Sequence, residues 1–248
     1  MRMNQYLDAT YLKTALQAGI SEQENLQKVL QLADEAIRYG YKLVMIRLKY
    51  IPKLKATLTA ANAKVLIGTV IDFPEGDASI EQKLQEAKKA IHLGADELDF
   101  VINYKAFKKG NIELVSKEVI ACTSVCLAHA KVAKFIIEVA ALSNEEIIVI
   151  SQLLKQVVLQ EFGEENAKNV FVKSSTGFFK TEANAPNGAT LENMMLISKN
   201  AKPLKIKAAG GVRDYETALK MISLGVDRIG TSSSKEIMNK EQHLNQSY

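Results

Sequence analysis

Short apolar runs alternate with longer amphipathic stretches along almost the whole chain. The apolar runs predict strands at 5–10, 42–48, 64–71, 96–102, 134–139, 170–174, 205–208 and 228–230. Most are continuously apolar rather than alternating, the mark of a parallel strand covered on both faces. Between them a 3.6-residue period predicts helices at 21–39, 52–63, 79–93, 113–130, 143–160, 189–200 and 214–224. A short helix at 232–239 and a polar tail ending at Tyr248 complete the pattern. Ser21 and Glu24 have capping-box spacing at a helix start, and Gly40, Gly94 and Gly225 stand where helices should stop. The strands recur about every 25–35 residues, the size of a βα unit. The expected fold is α/β: a (β/α)8 TIM barrel forming a single domain over residues 1–248, with a short N-terminal extension and a polar C-terminal helix and tail at 234–248. A doubly wound open sheet is the alternative. It is weakened by the lack of a Gly-x-Gly-x-x-Gly turn after the first strand and of a phosphate-cradling Gly-x-x-x-x-Gly-Lys-Ser/Thr loop.

Composition narrows the class. The 248 residues are 47% hydrophobic and 24% charged with a formal net charge of +4, enough apolar material for one large core. The cations are interspersed rather than blocked, which argues against a nucleic-acid-binding stripe. A modest cationic excess suits an anionic small molecule. No apolar run approaches the ~18 residues that span a bilayer, and the N-terminus lacks a signal-peptide core. A cytoplasmic protein with reduced thiols is the expectation. Cys122 and Cys126, spaced i and i+4 on a predicted helix, read as packing residues. His92, His129 and His243 are scattered and form no ligand pair, so no metal site is expected.

The candidate chemistry lies where polar residues interrupt the strands: Asp8, Asp99, Glu138, Lys173 and Lys207. Lys173 follows Val170-Phe171-Val172 and precedes Ser174-Ser175-Thr176-Gly177. A lysine inside a strand snorkels, pairs with a carboxylate or loses its proton. In the last case the neutral amine is a nucleophile toward carbonyls. Lys207, in Ile206-Lys207-Ala208-Ala209-Gly210-Gly211, lies on the next strand, and repulsion between two strand-end lysines is one way to depress one of them. Lysines with a buried Asp99 read equally well as a structural ion network or as a tuned amine with its acid–base partner. The loops favour the second reading. Thr176-Gly177, Gly210-Gly211 and Gly230-Thr231-Ser232-Ser233 follow the last three strands, where backbone N–H groups and a helix start favour a phosphate.

These residues resemble those of the deoxyribose-phosphate aldolases. The likeness is carried by Lys173 in FVKSSTGF, Lys207 in IKAAGGVR, Asp99 in GADELDFVINY, the segments TVIDFPEG and KFIIEVAAL, and RIGTSS near the end. It implies a class I aldolase on a (β/α)8 barrel that reversibly cleaves 2-deoxy-D-ribose 5-phosphate to D-glyceraldehyde 3-phosphate and acetaldehyde, with no metal or other cofactor. By resemblance Lys173 is the Schiff-base lysine, Lys207 the second lysine that lowers its pKa, and Asp99 the partner of Lys207 and a water in a proton relay. Asp8 and Thr10 match an Asp-x-Thr close to the substrate hydroxyls. Thr176, Gly177, Gly210, Gly211, Arg213, Ser232 and Ser233 fall on the substrate- and phosphate-side loops.

Met45, Arg47 and Phe178 stand where many relatives carry other residues, and the loop 179–188 is longer than in many. These differences bear on tail contacts and aldehyde preference. Tyr248 reads either as a disordered end or as a hydroxyl that dips over the site. Another Schiff-base aldolase acting on a ketose phosphate, and a non-catalytic phosphosugar-binding barrel, are the rival readings. A homodimer is the expected assembly.

Overall fold

The structure, a computed structural model, describes residues 2–182 and 188–246, with side chains as far as residue 240. Residues 183–187 of the expected loop, and Tyr248, lie outside the described residues. A 3-10 turn (Met3–Tyr6) leads into β1 (Leu7–Tyr11), α1 (Ala15–Ala18) and α2 (Glu22–Tyr39). Then come β2 (Leu43–Ile46), α3 (Ile51–Ala60), β3 (Leu66–Ile71), α4 (Ile80–Leu93), β4 (Glu97–Val101), α5 (Tyr104–Lys108) and α6 (Ile112–Ala128). The second half runs β5 (Val132–Ile136), α7 (Asn144–Phe162), β6 (Val170–Lys173), α8 (Leu191–Ala201), β7 (Lys205–Ala209), α9 (Tyr215–Ser223), β8 (Arg228–Thr231) and α10 (Ser234–Gln246). The strands are parallel and pair in chain order, and β1 pairs with β8. That closing pair rules out the open sheet and removes both edges.

The helices start as their sequences dictate. Ser21, Ser79 and Ser143 each accept from the backbone N–H three residues on, while Glu24, Gln82 and Glu146 reach back to the cap N–H. The outward strand residues and the inner helix faces form one continuous apolar layer. Val115, Val119, Cys122 and Cys126 lie on the buried stripe of α6, and both thiols are free. Burial pushes the Cys126 thiol up to about 12, so it stays protonated and inert. Each such side chain taken out of water stabilises by about 1.5–3 kcal/mol.

Some boundaries differ from the expectation. β2 ends at Ile46 and the next residues turn into α3 through a 3-10 turn at Leu48–Tyr50. The stretch before the long helix at 113 holds the short helix α5, capped by the Asn103 side chain. α10 extends beyond residue 239. β5 starts two residues before 134 and ends at Ile136, so Glu138 is not a strand residue. Its backbone is left-handed (φ 56), which breaks the ladder and turns its carboxylate toward the loop after β6.

Inside the barrel the two sides differ in kind. β2 and β3 contribute Leu43, Met45 and Val70, which pack with Leu12 into a small apolar cluster. Every other strand contributes charge: Asp8 from β1, Glu97 and Asp99 from β4, Lys134 from β5, Lys173 from β6, Lys207 from β7 and Arg228 from β8.

Candidate active site

All seven charged residues are buried; even Lys173 and Arg228 keep only 3% and 5% of their surface. Burying so many charges is tolerable only if each finds a partner. Asp99 sits at the centre. Its Oδ1 accepts from the Lys134 ammonium at 3.0 Å, and its Oδ2 from Lys173 and Lys207, both at 2.8 Å. Lys207 also reaches Asp8 Oδ2 at 2.6 Å, and Lys134 reaches Glu97 Oε2 at 2.5 Å and Asp8 Oδ2 at 3.6 Å. Arg228 donates from Nε to Asp8 Oδ1 at 2.7 Å and from Nη1 to Glu97 Oε1 at 3.1 Å.

The strand register explains this convergence. Lys173 lies opposite Lys207, Lys207 opposite Arg228, and Asp99 opposite Lys134. Side chains two apart on one strand share the inner face, so Glu97 and Asp99 stack in successive layers. Gly230, opposite Ala209 and Asp8, leaves the room that Lys207 needs: a Cβ there would come within 2.9 Å of Lys207 Cε.

The count of charges bears on which group holds its proton least firmly. Three carboxylates face four cationic side chains, so full ionisation leaves one positive charge in excess. Among the described residues, Lys134 pairs with three of the carboxylates, Lys207 and Arg228 with two each, and Lys173 with Asp99 alone. Burial is the main force lowering Lys173, and repulsion from Lys207 and Lys134 adds to it. Attraction by Asp99 only partly opposes them, and the amine comes down to about 8. Asp99 behaves in the opposite sense: burial alone would raise it, but the three ammonium groups hold it well below the ordinary carboxylate range. Asp8 is likewise pulled to about 2, burial being outweighed by Arg228, Lys207 and Lys134.

Lys173 is the member of this set that opens onto a cavity of about 620 Å³ at the C-terminal end of the strands. The cavity is lined on one side by Thr176, Gly177, Gly210, Gly211, Arg213 and Ser232, and on the other by Thr10, Leu12 and Phe178. Of the residues expected near substrate, two do not line the cavity. Asp8 is fully buried below it and holds Lys207 and Arg228. Ser233 is also not among the lining residues, and its N–H donates to Thr231 Oγ1 at 3.0 Å. Gly177 lines the cavity, but its N–H is spent on Ser175 Oγ at 3.0 Å, as that of Phe178 is on Thr176 Oγ1.

Three members of the charged cluster were not among the sequence candidates. Lys134, Glu97 and Arg228 sit in predicted strands at the inward parity, and that parity was the available signal. Glu138 was noticed but misplaced. Its carboxylate accepts from Ser175 Oγ at 2.7 Å, from the Thr176 N–H at 3.3 Å and from Thr176 Oγ1, and so shapes the loop after Lys173. Arg47 donates to the carbonyls of Leu12 (2.8 Å) and Phe73 (3.0 Å), and Phe73 meets Phe178 edge-on at 5.0 Å. Phe178 thus belongs to the apolar wall. Among the described residues no group of His, Cys, Asp and Glu is arranged to hold a metal ion.

Residues 5–235 match the family model described as DeoC/LacD family aldolase. A protein of Thermococcus gammatolerans called deoxyribose-phosphate aldolase is 37% identical over 239 residues, covering 96% of both chains. The crystal structure of a putative deoxyribose-phosphate aldolase from Coccidioides immitis superposes with a TM-score of 0.80 at 31% identity, over 98% of this chain and 87% of that one. The deoxyribose phosphate aldolase of Aeropyrum pernix, whose structure is described as a unique tetramer, is 25% identical with a TM-score of 0.77, over 98% of this chain and 92% of that one. A buried lysine depressed among partnered charges at the mouth of a closed barrel, and a family match over nearly the full length, place this chain in the DeoC/LacD aldolase family.

Proposed function

We propose that the chain is a class I aldolase that reversibly cleaves 2-deoxy-D-ribose 5-phosphate to D-glyceraldehyde 3-phosphate and acetaldehyde. The observation that carries this reading is the Lys173 amine, lowered to about 8 and facing the cavity. At pH 7 about one amine in ten is then neutral, against about three in ten thousand for an ordinary lysine. Neutral Nζ adds to the C1 aldehyde of the open-chain sugar, and loss of water forms an iminium. Removal of the C3 hydroxyl proton lets the C2–C3 electrons flow into that iminium, which releases D-glyceraldehyde 3-phosphate and leaves an enamine. Protonation at C2 and hydrolysis give acetaldehyde and the free amine. Asp99 and Lys207, 2.8 Å apart, are the pair from which a proton relay through water would run. A positioned acid–base group of this kind contributes about 10²–10⁴-fold.

The phosphate belongs on the glycine side, beside Arg213 and Ser232, where α10 begins and its N-terminus favours an anion. Thr10 faces the sugar hydroxyls. Lys173 needs no metal or other cofactor for this chemistry. No described helix is long and apolar enough to cross a membrane, and a cytoplasmic location suits a phosphosugar substrate. A homodimer is our reading of the assembly, with the tetramer described for the Aeropyrum pernix relative as the other arrangement a sizing experiment would find.

Borohydride trapping with acetaldehyde, in the presence of a chelator, tests the proposal. A two-carbon adduct mapped to Lys173 and lost in Lys173→Ala is the expected outcome. Absence of an adduct, or turnover only with added metal, returns the cluster to a structural ion network.

A further inference from the structure

Two of the seven buried charges, Arg228 and Glu97, pair neither with Lys173 nor with Asp99, its carboxylate partner. Arg228 sits on β8 below Gly230, and Glu97 on β4 one layer below Asp99. Arg228 bridges Asp8 and Glu97, and Glu97 in turn holds Lys134 at 2.5 Å. The contacts form a chain: Arg228 to Asp8 to Lys207 to Asp99 to Lys173 on one side, and Arg228 to Glu97 to Lys134 to Asp99 on the other. The charged groups facing this chain are Asp8 from β1, Glu97 and Asp99 from β4, Lys134 from β5, Lys173 from β6, Lys207 from β7 and Arg228 from β8. β2 and β3 turn Leu43, Met45, Leu66, Gly68 and Val70 to it, and among the described residues no charged group. The balance of this enclosed set is therefore fixed by its own members.

We infer that Arg228 and Glu97 are a positioning pair for Lys173: they brace Asp8 and Lys134, and between them set the one-cation excess that loosens the Schiff-base amine's hold on its proton. The inference rests on the class I reading above. Its physical basis is the ranking of partners. Lys173 has one carboxylate neighbour and Lys134 and Lys207 have more, so any surplus positive charge leaves from Lys173. Without Arg228, three lysines face three carboxylates, and Lys173 keeps its proton. Neutralising Glu97 does the reverse: four cations face two carboxylates, and the proton leaves Lys173 more readily. Removing both groups restores a surplus of one. A role confined to holding the fold together gives no such opposition of sign.

The experiment compares wild type with Arg228→Met, Arg228→Lys, Glu97→Gln and the double variant Arg228→Met/Glu97→Gln. The readouts are the acid limb of kcat/KM for deoxyribose phosphate cleavage and the pH dependence of borohydride trapping by acetaldehyde. Arg228→Met moves the limb up by about one pH unit, an approximately tenfold loss at pH 7. Glu97→Gln moves it down, so trapping at pH 6 becomes faster than in wild type. Arg228→Lys, which keeps the charge, leaves the limb in place, and the double variant returns to within about twofold of wild type at pH 7. Single variants that shift the limb in the same direction, or that lower kcat with the limb unmoved, overturn the inference. If Arg228→Met does not fold, Glu97→Gln and the double variant decide: a limb that Glu97→Gln leaves in place or moves up refutes it. Loss of the wild-type Lys173 adduct would instead overturn the class I reading, so the two failures are distinct.

Discussion

Glu138 offers the most direct test of how the fold shapes the loop beside Lys173. Its carboxylate is buried and accepts from Ser175 Oγ, Thr176 Oγ1 and the Thr176 N–H. The two hydroxyls in turn accept from the Gly177 and Phe178 N–H groups, both at 3.0 Å. A hydrogen bond to a charged group contributes about 1.5–3 kcal/mol. Three such bonds are lost in Glu138→Ala, but so is the cost of burying the carboxylate. The net loss should be about 3 kcal/mol, in the range for breaking a buried network. For a chain of this size that is about 6–12 °C in Tm. Glu138→Gln keeps the shape and one acceptor oxygen, and should cost about 1–2 kcal/mol. Because φ at 138 is 56°, Glu138→Gly also relieves left-handed strain and should be about 1 kcal/mol less harmful than the alanine change. Thr176 and Gly177 line the cavity, so the alanine variant should also raise KM and lower kcat/KM by about ten- to a hundredfold. Urea unfolding and steady-state cleavage assays measure both, with exposed Glu145→Ala as the control. A variant that loses stability with KM intact refutes the link from Glu138 to the cavity, and one matching the control in both refutes the whole account.

Lys173→Met should stabilise the protein while abolishing turnover. Between pH 8 and 10.5 the unfolded chain holds a proton that the native amine has released, so stability rises with pH through that window. Below it the buried ammonium costs about 3 kcal/mol, which a methionine avoids, and denaturant midpoints at pH 7 measure the gain. The rate of borohydride trapping with acetaldehyde should climb about tenfold per pH unit below pH 8 and level off above it; a flat profile would mean that the amine is not the titrating group. Gly230→Ala should push against Lys207 Cε, costing about 1–3 kcal/mol and lowering kcat far more than it changes KM for the phosphorylated sugar. Asp99→Asn leaves four cations facing two carboxylates; an unfolding free energy lowered by about 3–5 kcal/mol and kcat reduced about 10²–10⁴-fold are expected, and retention of either would contradict its central place.

The barrel itself was legible in the chain. Eight short apolar runs spaced by amphipathic helices admit few other solutions, because a parallel strand must be covered on both faces and each crossover needs a helix. The helix starts at Ser21, Ser79 and Ser143 follow from side chains bonding their own next turn, a local matter. Lys173, Lys207 and Asp99 announced themselves as charges inside apolar strands. Register and closure, in contrast, are tertiary. Only they bring Arg228 on the last strand against Asp8 on the first, a separation of 220 residues, and so reveal four cations facing three carboxylates. Local pattern also could not end β5 at Ile136, since the reason lies in the hydroxyls of Ser175 and Thr176 on the neighbouring strand's loop. Asp8 likewise lies below the cavity rather than on its wall, because its depth is set by pairing with Gly230 and Leu43. Local pattern places the strands and three of their buried charges; closure of the barrel sets which charges meet, and so leaves Lys173 with a single carboxylate partner.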